Sequence, residues 1–158
     1  MTALPTVRVE RLEHWARLHG LPTTRDDDRL VLALPHHGGS REVVLWVSPD
    51  GAGLAARTVL SVEATDERAG AVRAAAARLL SHEPAPVLTI LPSGPDDLAE
   101  PEGPRPGLDV VLDAATPVEE GMSDAQLDEW LQWATGLLGS SAALLEDSLH
   151  PAEPHEEA

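Results

Sequence analysis

The apolar positions change period along this chain, from helical to alternating and back, and the changes mark out eight elements. Val9, Leu12, Ala16 and His19 recur at helical spacing with Trp15 on the flank, so Val9 to His19 reads as a helix that Gly20 stops. Leu21-Pro22 then leads into a polar turn, Thr23 to Asp28. Leu30 to Leu34 and Arg41 to Val47 are apolar strand-like runs on either side of a turn, His36-His37-Gly38-Gly39-Ser40. After the turn signal Pro49-Asp50-Gly51, Leu54 to Glu63 alternates, with Leu54, Ala56, Thr58, Leu60 and Val62 on one face and Arg57, Ser61 and Glu63 on the other. These three runs predict an antiparallel meander.

The first two strands are apolar on both faces, with Val44 and Trp46 set against Val43, Leu45 and Val47. A sheet with one solvated face alternates more cleanly, so the second face calls for a cover: a helix, a second subunit or a client protein.

Thr65-Asp66-Glu67 opens a second helix, a side-chain oxygen followed by acids in the first turn. Its inward stripe is Ala69, Val72, Ala76, Leu79 and Leu80, and further alanines make the surface smooth. That smoothness suits a close helix neighbour, and the high helix propensity of alanine explains it equally well. Val87 to Leu91 and Leu108 to Leu112 read as two paired strands joined by a proline-rich acidic loop, Pro92 to Gly107, of poor order. Ser123 and Gln126 form a capping-box pattern ahead of the last helix, where Leu127, Leu131, Ala134, Leu138 and Leu145 share a side. Trp130, Trp133, Leu137 and Leu144 widen that side to roughly 160°, against the ~100° stripe of an ordinary surface helix. Gly136 and Gly139 are places where this helix could bend or end. The stretch 150–158 reads as an acidic disordered tail.

The fold class that follows is α+β, in the order α-βββ-α-ββ-α. Its antiparallel five-stranded sheet consists of a three-stranded meander plus a two-stranded hairpin, in a single domain over 1–149.

Charge narrows the choice of partners. The formal net charge is −16 over 158 residues, and all 11 basic residues are arginine. Nucleic acid and anionic membranes are disfavoured, because affinity for phosphates rests on basic side chains that release counterions. Such acidity keeps a protein soluble, and it also suits a holder of sticky or basic protein segments. The absence of cysteine excludes disulfides and thiolate metal sites. No stretch approaches the ~20 apolar residues of a membrane span, and the first ten residues lack a secretory pattern, so a cytoplasmic protein is expected.

Catalysis needs a nucleophile, base or metal in a defined array, and local spacing offers none. His14 and His19 are five apart and face away from each other on a helix, and His36-His37 occupies a turn. Asp26-Asp27-Asp28 lacks the alternating ligands of a calcium loop. Glu119-Glu120 and Asp96-Asp97 are loop neighbours that both stay ionised. Catalytic, metal and cofactor residues are therefore expected to be absent. An enzyme would need a cleft that unites distant acids with a histidine.

The order of elements, with Leu21-Pro22 after the first helix, an acidic turn before Leu30-Val31-Leu32 and the strand Val43-Val44-Leu45-Trp46-Val47, resembles the YbjN family and, in fold, the type III secretion chaperones. Val110-Val111-Leu112-Asp113 and the run from Thr116 to Leu127 look like that family's last strand and helix entry. The resemblance covers about residues 8 to 149. It departs at the long loop after Pro92 and at Leu79-Leu80-Ser81-His82, where a polar, asparagine-bearing helix end is usual. It implies a dimer-forming, non-enzymatic protein that binds other proteins, with no catalytic residues to carry over.

Together these readings predict a cytosolic, chaperone-like protein-binding module that dimerises or holds a client or signalling partner. The alternative is a regulatory domain that senses a small molecule or acts in signalling. The candidate partner or dimer surface comprises Val44, Trp46, Val72, Leu79, Trp130, Trp133 and Leu137.

Overall fold

The computed structural model describes residues 2–63, 65–93 and 107–149. The chain runs α1 (Val9–Leu18), β1 (Thr23–Asp26), β2 (Arg29–His36), β3 (Gly39–Val47), β4 (Gly53–Glu63), α2 (Asp66–Leu80), β5 (Val87–Ser93), β6 (Gly107–Pro117) and α3 (Asp124–Leu149). The strands form one antiparallel sheet in the order β1-β2-β3-β4-β6-β5.

The sheet has six strands, one more than expected. The addition is β1, in the stretch read as a polar turn, which pairs with β2 from Thr23 opposite Leu32 to Asp26 opposite Arg29. All four of its residues are exposed. An edge strand with no buried face leaves no hydrophobic signature, and polar edges of this kind discourage pairing with other chains. Asp27, at φ 52°, turns the chain into β2. The hairpin of β5 and β6 is present, but it is merged into the sheet, because β6 pairs with β4 along eleven residues, Gly53–Glu63. Pro92, Ser93 and Gly107 belong to these strands rather than to the loop. The expectations for the rest of that loop (94–106) and for the tail (150–158) lie outside the described residues.

β3 and β4 stay together only briefly. Their register runs from Val44 opposite Arg57 to Val47 opposite Leu54. Beyond those pairs the strands part, and the Thr58 hydroxyl reaches across the opening to donate to the Glu42 carbonyl at 2.8 Å.

Registered neighbours share a face, so one face collects Leu30, Leu45, Ala56 and Ala114, with Leu32, Val43, Leu60, Val110 and Leu112 nearby. The helices bury their own stripes against this inner face: Leu12, Trp15 and Ala16 from α1, Val72, Ala75 and Leu79 from α2, and Leu127, Leu131, Ala134 and Leu138 from α3. Among the described residues nine leucines are fully buried, and each contributes roughly 1.5–3 kcal/mol relative to exposure.

Local chemistry fixes the helix ends. The Gly20 and Leu21 amides donate to the Arg17 and Ala16 carbonyls, closing α1 with glycine in the left-handed conformation at φ 65°. Thr65 accepts from the Arg68 amide at the start of α2. Ser123 and Gln126 cap α3 reciprocally, at 3.1 and 2.9 Å. The alanine-smooth α2 packs on α3, although Leu80, placed on its inward stripe from spacing, is exposed. α3 continues through Gly136 and Gly139 for 26 residues. A glycine costs a helix only about 1 kcal/mol relative to alanine, less than the burial of Leu138 between them and of Ala142 and Leu145 beyond them returns.

Candidate functional site

Among the described residues, no helix packs on the outer face of the sheet. Val31, Val44 and Trp46 are half-buried there, while Val59, Val87 and Leu91 are exposed. Val111, between Val59 and Thr89 in the register, is buried. At the centre, Arg57 donates to both carboxylate oxygens of Asp113, at 2.7 and 3.1 Å. Its guanidinium carbon also lies 5.4 Å from the Trp46 ring centre. Asp113 raises the Arg57 pKa further above its ordinary value, mainly through that hydrogen bonding. The two-sided apolar character read in the second strand is therefore real, and among the described residues no helix covers its second face.

The proposed surface residues fall into three places. Val44 and Trp46 lie on this outer face. Val72 and Leu79, at 1% and 4% exposure, are core residues beneath α3 and cannot contact a partner while the fold is intact. Their spacing shows an inward stripe but does not say what the stripe meets. Trp130, Trp133 and Leu137 lie on α3, with Trp133 44% exposed and the other two half-buried.

Trp130 and Trp133 border a cavity of about 710 Å³ between α3 and the turn that links β6 to it. The turn is tightly fixed. The Val118 amide donates to the Ala52 carbonyl, and the Met122 amide donates to the Pro5 carbonyl. Gly121, at φ 81°, lies so close to the N-terminal segment that a Cβ there would sit 2.5 Å from the Leu4 carbonyl oxygen. Arg11 ties the corner together by donating to the carbonyls of Pro5, Thr6 and Met122 and to the Asp124 carboxylate.

The opposite side of α3 holds two side-chain clusters that sequence spacing could not show. Asp128 accepts from Gln132 Nε2 and Trp15 Nε1, and its Oδ1 lies 2.8 Å from His19 Nε2. Glu146 Oε2 accepts from Arg41 Nη2 at 2.8 Å and lies 2.9 Å from His36 Nε2. His19, His36 and Arg41 all border a cleft of about 450 Å³ between α1, β2 and α3. Each cluster thus sets an acid beside a histidine distant in sequence, but the acids are poorly suited to proton transfer. Hydrogen bonds from Gln132, Trp15 and His19 hold the Asp128 carboxyl below its ordinary range. Burial pushes Glu146 up, yet hydrogen bonding and charge from Arg41, and then His36, outweigh it and hold Glu146 low as well. Carboxylates kept ionised in this way act as fixed acceptors that pin α3 to α1 and to β2–β3, not as bases poised near neutral pH. Among the described residues, no three histidine or carboxylate groups gather as a metal-binding set, and no helix is long and apolar enough to cross a membrane.

No family model matches the chain, and no curated protein matches it. Among solved structures, the crystal structure of YbjN from E. coli, described as a proposed transcription regulator, is similar over 94% of this chain and 96% of that one, with a TM-score of 0.60 and 16% identity. At that identity the likeness concerns architecture, and this chain has a YbjN-like fold.

Proposed function

We propose that the chain is a non-enzymatic, chaperone-like protein-binding module that pairs with a second copy of itself through the outer face of its sheet. The observation that carries this reading is the uncovered face around Trp46, where Val44, Val59, Val87 and Leu91 remain in contact with solvent. A second copy suits it for electrostatic reasons. Most surfaces of a chain with net charge −16 repel one another, whereas here Arg57 is already matched by Asp113. Two antiparallel sheets can stack face to face at about 10 Å with each copy offering the same patch. Such a pairing also supplies the cover that the two-sided strands call for. Clients of an acidic dimer would be proteins rather than nucleic acids. The solved neighbour's description as a proposed regulator is compatible with regulation by protein contact.

Sedimentation velocity at tens of micromolar, a range in which pairs of moderate affinity assemble, tests the pairing. The wild type should sediment at twice the mass of the 16.8 kDa chain. Val59→Glu, a substitution at a 46% exposed position, should yield a monomer that keeps the far-ultraviolet circular dichroism spectrum of the wild type and melts somewhat lower, because association stabilises the folded chain. A monomeric wild type, or a Val59→Glu variant that dimerises equally well, would refute the assignment.

A second reading, a regulatory domain that senses a small molecule, is favoured by the cleft bordered by His19, His36 and Arg41. A small carboxylate or phosphate that raises the melting temperature, with the effect lost in His19→Ala, would favour it.

A further inference from the structure

We propose that the groove beside Trp130 and Trp133 binds an arginine or lysine side chain carried by an extended segment of a partner protein. This site is separate from the outer face of the sheet, and its chemistry does not depend on dimerisation.

The helix contributes one stripe. Gln126, Glu129, Trp130 and Trp133 follow i, i+3, i+4, i+7, the spacing that places side chains on a single helical face. The indole ring centroids lie 6.5 Å apart at an interplanar angle of 49°, and both rings border the groove. Trp130 packs against the core. Trp133 is 44% exposed, and the fold makes no evident use of its ring.

Across the groove, the turn contributes Glu119 and Glu120. With Glu129, three carboxylates surround an aromatic floor, and among the described residues no basic side chain lines the cavity. None of the three makes an ion pair or side-chain hydrogen bond with another described residue. This sets them apart from Asp113, Asp124, Asp128 and Glu146, which are all engaged.

Only one class of ligand suits both halves of this lining. An anion is excluded by the carboxylates. A purely apolar side chain would leave them without partners. A guanidinium or ammonium head can lie over an indole face within about 6 Å while its charge meets the carboxylates, and its aliphatic stem covers the apolar wall formed by Leu4 and Met122. The cavity, at about 710 Å³, also has room for residues flanking the cation, which points to a peptide segment rather than a lone amine. The groove is fixed in advance by the Arg11 contacts and by the approach of Gly121 to Leu4, so little ordering cost opposes binding. The chain's overall charge of −16 steers a cation inward.

Indole ¹⁵N–¹H spectra of the full chain, labelled at tryptophan, provide the test, because the four tryptophans give four assignable signals. The probe is a capped leucine-arginine-leucine tripeptide, compared with the same peptide carrying glutamine in place of arginine and with methylguanidinium. The arginine peptide should shift the Trp130 and Trp133 signals and leave those of Trp15 and Trp46 in place. Trp133→Ala and the triple variant E119Q/E120Q/E129Q should each weaken binding by about fivefold or more, the range expected for a cation–π contact and for partly screened carboxylates. All these substitutions are at exposed positions, and the retained Trp15 and Trp46 signals report folding. An equal response to the glutamine peptide, undiminished binding by either variant, or shifts confined to Trp46 would overturn the proposal. Methylguanidinium binding as tightly as the peptide would overturn the assignment to a protein segment.

Discussion

Replacing Glu146 with glutamine preserves the size of the side chain and removes its charge, which leaves the Arg41 guanidinium without its carboxylate. Arg41 is unusual among the inner-face residues because it is charged, although its side chain is only 7% exposed and its position in β3 is opposite Leu34. Among the described residues, its Nη2 has Glu146 and His36 as its hydrogen-bond partners. Removing one partner of a fully buried pair costs about 3–5 kcal/mol, whereas an exposed pair contributes about 0–1 kcal/mol. Glu146 is 35% exposed, so water partly screens the pair, and an intermediate cost of roughly 2 kcal/mol is expected. For a folded unit of about 130 residues, with an unfolding entropy near 2.1 cal/mol/K per residue, that corresponds to a fall in Tm of about 7 °C. Differential scanning calorimetry at neutral pH would compare wild type, Glu146→Gln, Arg41→Met and the double variant Arg41→Met/Glu146→Leu. Arg41→Met should cost less than Glu146→Gln, because it removes the buried charge and frees Glu146 to turn toward water. The double variant should recover much of the loss, because two apolar groups leave no charge unmatched. A Glu146→Gln variant that melts within about 2 °C of wild type, or an Arg41→Met variant that is clearly the worse of the two, would refute the account of Glu146 as the counter-charge of a buried arginine.

The same pair makes stability depend on acid. Glu146 and Asp128 are both held below their ordinary values of 4.5 and 3.8, so the stability they confer is complete above those values and is lost as pH falls through the lower folded-state values. The difference in urea midpoint between wild type and Glu146→Gln should therefore shrink steadily below pH 4.5; a constant gap down to about pH 3 would contradict it. Gly121→Ala should cost about 2 kcal/mol, from a left-handed backbone together with a forced movement of the Leu4–Pro5 carbonyls. The change should appear first in hydrogen exchange as lost protection of the Met122 amide, the donor to Pro5, and unchanged protection there would show that the N-terminal segment is not held as described.

Elements with a buried stripe could be read from the chain. The meander, α1, α2 and the entry to α3 each bury one side, so burial writes a period of two or 3.6 into the sequence. β1 buries nothing and left no such period. The placement of β6 between β4 and β5 was equally hidden, because alternation identifies a strand but not its neighbours. Among the candidate surface residues, Trp130 and Trp133 could be found because three residues apart on a helix means side by side. Val72 and Leu79 have the same kind of spacing and are buried, since a stripe looks alike whether it faces α3 or solvent. The Asp128 and Glu146 clusters join residues 109 and 105 positions apart, a distance at which local spacing carries no information.

The parting of β3 and β4 creates a strand edge inside the sheet rather than at its rim. From Thr58 to Glu63, β4 is laddered to β6 on one side only, so half of its peptide groups turn toward a wedge instead of a neighbouring strand. Unpaired strand edges are the usual templates for misassembly. Here the exposed ladder is recessed, flanked by Glu42 and Ser61, with Arg41 and Glu146 at the same opening. The two true rim strands show different forms of protection: β1 is short and polar, and β5 carries Pro92. The pair that anchors α3 thus also places charge beside an unlatched backbone edge in the interior of the sheet.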